Sequence, residues 1–310
     1  MASMKITDAL AKHLRQLQAN GRSINTVRQR ERQVRSLCDW LRVQGIDLQL
    51  GDITPEILAD FLCSPQVLQR LDGKDKQTGS VNSVRSNIRT FFRFAVDAGW
   101  IERNPARLIQ LANCAPPPPR GLTEDEQERL LAAFRGVEGL HVLRDRALFT
   151  MLLRTGLRTG SALALDVGDV DLEAGEITAR RVKGGRGQVV FLGRDVATVL
   201  RDHIGDRVEG PLFGSGSGQR LSSRQVQRRL GMWLGRACVR RVGPHALRHT
   251  FAQALYSQTR DILLVRQALG HRSISSTLTY ASASQDELRW AITKIPASDS
   301  EEKSSRHCRG

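Results

Sequence analysis

The stretch that most constrains this chain is Pro244-His245-Ala246-Leu247-Arg248-His249, and it is followed by Leu269-Gly270-His271 and then by Tyr280. Proline in a first turn predicts a helix start, and glycine after an apolar run predicts a helix end. The segment 245–280 is therefore predicted to form short helices that carry basic side chains and end at a tyrosine. Basic groups followed by a hydroxyl suit a phosphodiester better than a metal or an acyl group.

The whole chain around this segment is strongly basic. It holds 47 Lys and Arg against 32 Asp and Glu, a formal net charge of +15 over 310 residues. Residues 1–113 account for 17 of the basic and 11 of the acidic residues, so both halves are basic. Most of the excess is arginine, whose planar guanidinium binds phosphate through two parallel hydrogen bonds. This balance favours a nucleic acid as partner.

Cysteine usage and hydropathy predict a soluble protein of the cytoplasm. The five cysteines are scattered and form no C-x-x-C pair, which is typical of reduced thiols rather than of a zinc or redox site. The N-terminus lacks the apolar run of a signal peptide, and no apolar stretch is long enough to span a bilayer. We therefore expect no membrane association.

Residues 1–113 are predicted to be entirely helical. Apolar residues recur at helical spacing in 6–20, and Thr54-Pro55-Glu56 combines a cap, a first-turn proline and an acid at a helix start. A longer amphipathic helix is predicted from Ser80 to Gly99. Residues 114–121 contain four consecutive prolines, which cannot lie inside a helix, so they are predicted to link two domains.

Residues 122–296 are predicted to form a second, mostly helical domain with a small antiparallel β-hairpin. The hairpin strands are 176–180 and 188–192, joined by a glycine-rich turn that contains Lys183. Helices are expected at about 124–134, 142–154, 194–203, 222–240, 244–256, 261–269, 274–281 and 286–294. The polar residues 297–310 are predicted to be disordered. The fold class is therefore mainly α, of the α+β type.

Four separated motifs occur in one order along the second domain. Thr155-Gly156-Leu157-Arg158 follows the apolar helix, Lys183 lies in the hairpin turn, and His245-Ala246-Leu247-Arg248-His249 starts a later helix. Leu269-Gly270-His271 comes next, nine residues before Tyr280. In order and spacing, residues 122–282 resemble the tyrosine recombinase (phage integrase) family. Residues 1–113 resemble the helical core-binding (DNA-clamp) domain of that family in layout and length.

The resemblance implies a role for each of six residues: Arg158, Lys183, His245, Arg248, His271 and Tyr280. Tyr280 is expected to attack a scissile phosphate, forming a 3′-phosphotyrosyl bond, while Arg158 and Arg248 bind the non-bridging oxygens. Lys183 is expected to protonate the departing 5′-oxygen. His245 is expected to assist proton transfer at the tyrosine, and His271 to hydrogen-bond the phosphate.

Elementary chemistry is consistent with these roles. Fixed guanidinium groups stabilise the negative charge that develops on phosphate oxygens, and losing one such donor costs roughly 10²–10³ in rate. A phenol with a pKa near 10 needs a proton acceptor or nearby cations to act as a nucleophile at pH 7. A covalent phosphotyrosine conserves bond energy, so no nucleotide cofactor is expected. The acids that would hold Mg²⁺ are missing from these motifs, so no metal is expected.

Each of these residues alone has an ordinary interpretation. Arg158 could bond the last carbonyls of a helix, Lys183 could be an exposed turn residue, and Tyr280 could be a half-buried core residue. His249, beside Arg248, is interpreted as a structural buttress of the site. Only the complete set, in this order, favours catalysis.

The resemblance implies a homotetramer that exchanges strands between two double-stranded DNA sites through a Holliday junction. Residues 285–295 are expected to form a helix that docks on a neighbouring protomer. One alternative is a nicking and closing enzyme like the type IB topoisomerases, and another is a catalytically idle, sequence-specific DNA-binding protein. Integration or excision of a mobile element, resolution of replicon dimers and cassette movement all remain open, as do the target sequence and any accessory proteins.

The chain departs from the family pattern at Ser161, where an acid commonly stands three residues after the first arginine. Because that acid is a supporting group, we expect Ser161→Glu to be tolerated or mildly stabilising. Thermal unfolding of the variant and of the wild type measures this directly. A fall of many degrees in the melting temperature would contradict the prediction.

Overall fold

Helices account for most of the described chain, and its one sheet has three short strands. The computed structural model describes residues 4–46, 49–114, 120–179, 187–270, 275–278 and 280. The chain divides into two units, Met1–Pro116 and Pro117–Gly310. The mainly helical fold class with a small antiparallel sheet, predicted from the sequence, is confirmed.

The described part of the first unit is helical throughout. Its α-helices are α1 (Ile6–Ala19), α2 (Ile24–Val43), α3 (Pro55–Cys63), α4 (Pro65–Leu68) and α5 (Thr78–Asp97). The Thr54 hydroxyl accepts a hydrogen bond from the main-chain N–H of Ile57, which starts α3 as the sequence predicts. Helix α5 begins two residues before the predicted Ser80. The apolar faces of these helices meet in one core around Phe61, Phe91 and Phe92.

His13 is an unusual member of that core. It is 2% exposed, and its ring packs against the rings of Phe91 and Phe94. Neither of its ring nitrogens has a hydrogen-bond partner among the described residues. Burial, with a smaller contribution from the charge of Arg30, lowers the pKa of His13 from 6.5 to about 4. The imidazole is therefore neutral in the folded unit at any pH above about 5.

The second unit contains the sheet and the remaining helices. In order its described elements are α6 (Glu124–Ala132), α7 (Leu140–Thr155), α8 (Thr159–Leu163), β1 (Val170–Asp171), β2 (Glu176–Ala179), β3 (Gln188–Phe191), α9 (Arg194–Ile204), α10 (Ser223–Arg236), α11 (Pro244–Thr259), α12 (Ile262–Leu269) and α13 (Ser275–Leu278). A capping box at Thr123 and Glu126 starts α6, as predicted. Helix α7 is the most deeply buried of these elements and packs against α9 and α11.

The sheet is antiparallel in the order β1-β2-β3. Ile177 pairs with Val170 on one side and with Val190 on the other, and Ile177 and Val190 are buried. The two predicted strands are present as β2 and β3; β3 ends one residue earlier than expected, and Arg180, the predicted last residue of the first strand, lies outside the described residues. The two-residue strand β1 was not predicted, because so short a segment has no alternation of apolar and polar residues to detect.

Some helix bounds also differ from the prediction. Helix α10 ends at Arg236 rather than near residue 240, because Cys238 takes a positive φ of 53° that no helix can continue through. The predicted linker prolines, the helix at 286–294 and the tail at 297–310 lie outside the described residues. Within the described part of the chain, no helix combines the length and the apolar character needed to cross a bilayer.

A buried ionic network anchors α7 to α10. The carboxylate of Asp145 is fully buried and accepts hydrogen bonds from Arg144, Arg229 and Trp233. The Trp233 Nε1 to Asp145 Oδ2 distance is 2.8 Å, and the Arg144 Nη2 to Asp145 Oδ1 distance is also 2.8 Å. A buried carboxylate without such partners would be costly, so the four side chains fix the position of α7 together.

His13 predicts a pH-dependent stability of the first unit. The unfolded chain binds a proton at His13 below pH 6.5, whereas the folded unit does not until about pH 4, so acid favours unfolding in this window. We expect wild type to lose roughly 2 kcal/mol between pH 7 and pH 5 from this group. In His13→Leu that loss disappears, and the variant is at least as stable as wild type at pH 7 because no unpaired imidazole is buried.

Urea unfolding of both proteins at pH 7 and pH 5 measures the effect. His203→Leu, in the second unit, is the matched control and should leave the first unit's acid sensitivity unchanged. An equal loss of stability in wild type and His13→Leu would contradict the prediction.

Candidate active site

Three of the functional candidates lie on the first turns of α11. Gly243 caps the helix and Pro244 occupies its first turn, so the start of α11 agrees with the sequence prediction. His245, Arg248 and His249 follow at spacings of three and four residues, which places them on one face of the helix. The ring centroids of His245 and His249 are 4.6 Å apart.

Arg248 connects this face to the ends of two other helices. Its guanidinium is buried, the residue being 3% exposed. Nη1 donates to the carbonyl oxygen of Gly156 at the end of α7 (2.5 Å), and Nη2 donates to that of Leu269 at the end of α12 (2.7 Å). A cation is stabilised at helix C-termini, where unpaired carbonyls carry partial negative charge. Arg248 therefore joins the two glycine-containing motifs that the sequence singled out.

Both helix ends require glycine. Gly156 and Gly270 are left-handed caps with φ of 62° and 60°. A Cβ on Gly156 would lie 2.3 Å from the ring of Phe251, and one on Gly270 would lie 2.9 Å from the Gln188 side-chain oxygen. Gln188 also donates to the carbonyl oxygen of Ala268 at 2.7 Å, which ties β3 to α12. The motif glycines thus allow the close approach on which the Arg248 hydrogen bonds depend.

Arg158 follows the Gly156 turn directly. It occupies the cap position of α8 and is half-buried. Its guanidinium forms no hydrogen bond or salt bridge with the residues that the structure describes. Its charge nevertheless contributes to lowering the pKa of both His245 and Arg248, so the three groups lie in one electrostatic environment.

Tyr280 lies against α11 and is 8% exposed. It packs in a small apolar cluster with Ala252, Val265 and Leu269. Its hydroxyl is 2.5 Å from Nδ1 of His249, which accepts this hydrogen bond when the imidazole proton is on Nε2. His249, interpreted from the sequence as a structural buttress, is thus the described histidine that contacts the tyrosine hydroxyl.

The pKa values of these groups respond to burial and to one another. Burial, then electrostatic interactions with His245 and Arg248, lower the pKa of His249 to about 4. Burial followed by Arg248 and Arg158 likewise lowers the pKa of His245. Burial raises the pKa of Tyr280, although Arg248 opposes that shift. Both described histidines of the site are therefore neutral, and the phenol is protonated, at neutral pH.

The arginines of the site have no acidic counterpart among the described residues. Burial and the charge of Arg158 lower the pKa of Arg248 to about 10, so it stays charged at neutral pH. No described carboxylate forms a salt bridge with Arg158 or Arg248, in contrast to the Asp145 network of the same unit. Two neighbouring cations without a described acidic partner, one of which interacts with Tyr280, form a site suited to an anion.

Arg158, His245, Arg248 and Tyr280 are linked by pairwise electrostatic interactions in the structure, and their catalytic roles stay predictions. Lys183 and His271 lie outside the described residues. His249 was not predicted as a site residue, although its position four residues after His245 already placed both rings on one helical face. The described residues contain no group of three or more His, Cys, Asp or Glu side chains placed to hold a metal ion.

Ser161, where the family pattern has an acid, is buried on α8. A glutamate there must gain a hydrogen-bond or charge partner to be tolerated, because an unpaired buried carboxylate is destabilising.

Comparison with known proteins finds two family matches. Residues 120–287 match the phage integrase family, and residues 10–99 match the N-terminal SAM-like domain of phage integrases. The chain is 31% identical over 242 residues to tyrosine recombinase XerC of Thermodesulfovibrio yellowstonii, covering 74% of this chain and 77% of the relative. It is 30% identical over 270 residues to XerC of Vibrio vulnificus, with 84% and 81% covered.

Solved structures share the fold. The Tn1549 transposon integrase in complex with a circular intermediate DNA aligns with a TM-score of 0.73 at 21% identity, over 94% of this chain and all (100%) of that one. The XerH site-specific recombinase bound to a palindromic difH substrate aligns with a TM-score of 0.71 at 22% identity, over 92% and 83%. At these identities the likeness concerns the fold.

The geometry at Gly156 generates a stability prediction. Gly156→Ala should destabilise the second unit by about 2 kcal/mol or more, because alanine is strained at positive φ and its Cβ collides with Phe251. Urea unfolding followed by circular dichroism measures the change. Gly235→Ala is the matched control: Gly235 lies inside α10 with nothing within 4 Å of an added Cβ, so alanine should be neutral or stabilising by about 0.5–1 kcal/mol. Equal effects of the two substitutions would contradict the prediction.

Proposed function

The chain belongs to the phage integrase family of tyrosine recombinases, and we propose that Tyr280 is the nucleophile with which it cuts and rejoins DNA in site-specific recombination. The proposed intermediate is a 3′-phosphotyrosyl bond with a free 5′-hydroxyl on the other side of the nick. Recombination then proceeds through a Holliday junction.

The observation that carries this proposal is the pair of neighbouring arginines, Arg158 and Arg248, for which no described carboxylate forms a salt bridge and of which Arg248 interacts electrostatically with Tyr280. A phosphodiester brings one negative charge in its ground state, and more charge accumulates on its oxygens in the transition state. Arg158 and the remaining N–H donors of Arg248 supply fixed positive charge for that moment. The main-chain bonds of Arg248 hold its guanidinium in place, so it needs no reorganisation when DNA binds.

The reaction requires two proton transfers. The Tyr280 oxygen forms a bond to phosphorus while the bond from phosphorus to the 5′-oxygen breaks, so the phenol must lose a proton and the departing oxygen must gain one. Lys183 is the proposed donor to the 5′-oxygen, and His271 the proposed additional hydrogen-bond donor to the phosphate. Rejoining reverses the sequence when a 5′-hydroxyl attacks the phosphotyrosine.

The proposed partner is double-stranded DNA held by both units. The basic charge of both halves supports it, and so do the relatives named above, two of which are described in complex with DNA. The first unit is proposed as the core-binding clamp and the second as the catalytic domain, with residues 114–121 linking them.

We further propose a homotetramer that acts on two DNA sites, in which residues 285–295 of each protomer dock on a neighbouring protomer. The proposed location is the cytoplasm, where the four described cysteines stay reduced.

Covalent trapping tests the nucleophile. The substrate is a nicked duplex from which the short fragment bearing the new 5′-hydroxyl diffuses away after cleavage, so that rejoining is prevented. Wild type should remain covalently joined to the DNA, whereas Tyr280→Phe should give no adduct. Tyr256→Phe is the matched control because Tyr256 is the only other tyrosine of the chain, and it should react like wild type. An equal yield of adduct from wild type and Tyr280→Phe would exclude Tyr280 as the nucleophile.

A Holliday-junction assay separates the candidate functions. A recombinase gives junctions and exchanged products from two sites, whereas a nicking and closing enzyme gives adducts without junctions. A catalytically idle DNA-binding protein gives neither, although it binds the duplex.

A further inference from the structure

The Tyr280 hydroxyl has one described side-chain partner, and it is His249 rather than His245. Nδ1 of His249 is 2.5 Å from the hydroxyl oxygen, and the two ring centroids are 5.6 Å apart. His245 instead packs edge-on against His249, with an angle of 73° between the ring planes. No hydrogen bond joins His245 to Tyr280 in the described part of the site. The expectation that His245 assists proton transfer at the tyrosine is therefore not supported by a direct contact between the two side chains.

We propose that His249 accepts the proton of Tyr280 during DNA cleavage, and that a phosphate bound between Arg158 and Arg248 enables it to do so. This inference rests on the proposed function, since it concerns the same attack of Tyr280 on DNA. His245 packs against the His249 ring and does not itself accept the proton.

The proton balance of this step is complete. In the tautomer that accepts the phenol hydrogen bond, His249 already carries a proton on Nε2. Transfer of the phenol proton to Nδ1 gives an imidazolium while the oxygen of Tyr280 bonds to phosphorus. The 5′-oxygen takes its proton from a different group. When a 5′-hydroxyl later attacks the phosphotyrosine, the imidazolium returns the proton to the departing phenolate.

Charge explains why the transfer waits for DNA. Without DNA, burial and then electrostatic interactions with His245 and Arg248 hold the pKa of His249 at about 4, so the ring is a weak base. Arg158 adds positive charge next to His245 and Arg248. A bound phosphate places a negative charge among these cations, which favours the imidazolium and raises the pKa of His249. Base strength thus increases only when the substrate is present.

Two substitutions at His249 separate proton transfer from positioning. Asparagine places its side-chain oxygen near the position of Nδ1 and still accepts a hydrogen bond, but it cannot take up a proton. Alanine removes both functions. Single-turnover cleavage of the nicked duplex should slow by roughly 10²–10⁴-fold in His249→Asn, the range for loss of a general base, and at least as much in His249→Ala.

The pH profile is the decisive readout. In wild type, the cleavage rate should rise with pH until His249 of the DNA complex is neutral and then level off. In His249→Asn, the rate should keep rising towards the ionisation of the phenol. His203→Asn is the matched control: His203 is a half-buried histidine of the same unit that bonds the Leu212 carbonyl oxygen, and its replacement should change neither rate nor profile.

The change in the pKa of His249 on DNA binding can be measured without catalysis. The ring carbons of the seven histidines, labelled with ¹³C in the uncleaving Tyr280→Phe chain, report each imidazole pKa by NMR. The His249 signal is assigned as the one that is absent from the double variant Tyr280→Phe, His249→Asn. Its pKa in the Tyr280→Phe chain should be at least one pH unit higher with the uncleaved duplex bound than without DNA. An unchanged titration would overturn the role of the phosphate.

The remaining outcomes are distinct. Absence of adduct from wild type would reject the proposed function itself. Wild-type adduct with an unaltered rate and profile in His249→Asn would overturn this inference alone. A slower His249→Asn with the wild-type pH profile would also overturn it, since His249 would then only position the tyrosine.

Discussion

The guanidinium of Arg248 donates hydrogen bonds to main-chain carbonyls at the ends of α7 and α12, two helices that are far apart in sequence. Hydrogen bonds from a charged donor contribute about 1.5–3 kcal/mol each when both groups are buried. The same side chain is the proposed ligand of the scissile phosphate. One residue therefore both holds the helix ends of the site together and is proposed to bind the substrate. Arg158, His245 and Tyr280 depend on this assembly because each belongs to a different motif of the chain.

The electrostatic character of the site follows from what surrounds that guanidinium. Elsewhere in the unit, the buried Asp145 is surrounded by the donors Arg144, Arg229 and Trp233, so positive and negative groups compensate. Around Arg248 the described neighbours are cations, neutral rings and main-chain oxygens. Burial, together with the resulting positive potential, lowers the pKa of both histidines and keeps them unprotonated, and the positive potential remains available to an anion. The arginines of the Asp145 network and the proposed phosphate ligands, Arg158 and Arg248, thus differ in whether a described carboxylate accompanies them.

Features encoded over a few residues were predictable from the sequence. The Thr54 cap, the capping box at Thr123 and the two hairpin strands are local patterns, and the structure has all of them. Contacts between distant residues were not predictable: Asp145 meets partners 84 and 88 residues away, and no periodicity signals such a pairing. The motif order located four described site residues, but it could not show which histidine meets Tyr280, because that depends on how α11 packs.

Gly121, the last residue of the predicted linker, and Leu122, which follows it, contact the helix that carries the histidines. The N–H of Leu122 donates to the Thr250 hydroxyl at 2.7 Å, and a Cβ on Gly121 would lie 2.9 Å from the Thr250 Cα. Thr250 is the residue immediately after His249. A hydrogen bond therefore joins the residue that follows the predicted linker to the residue that follows the proposed proton acceptor.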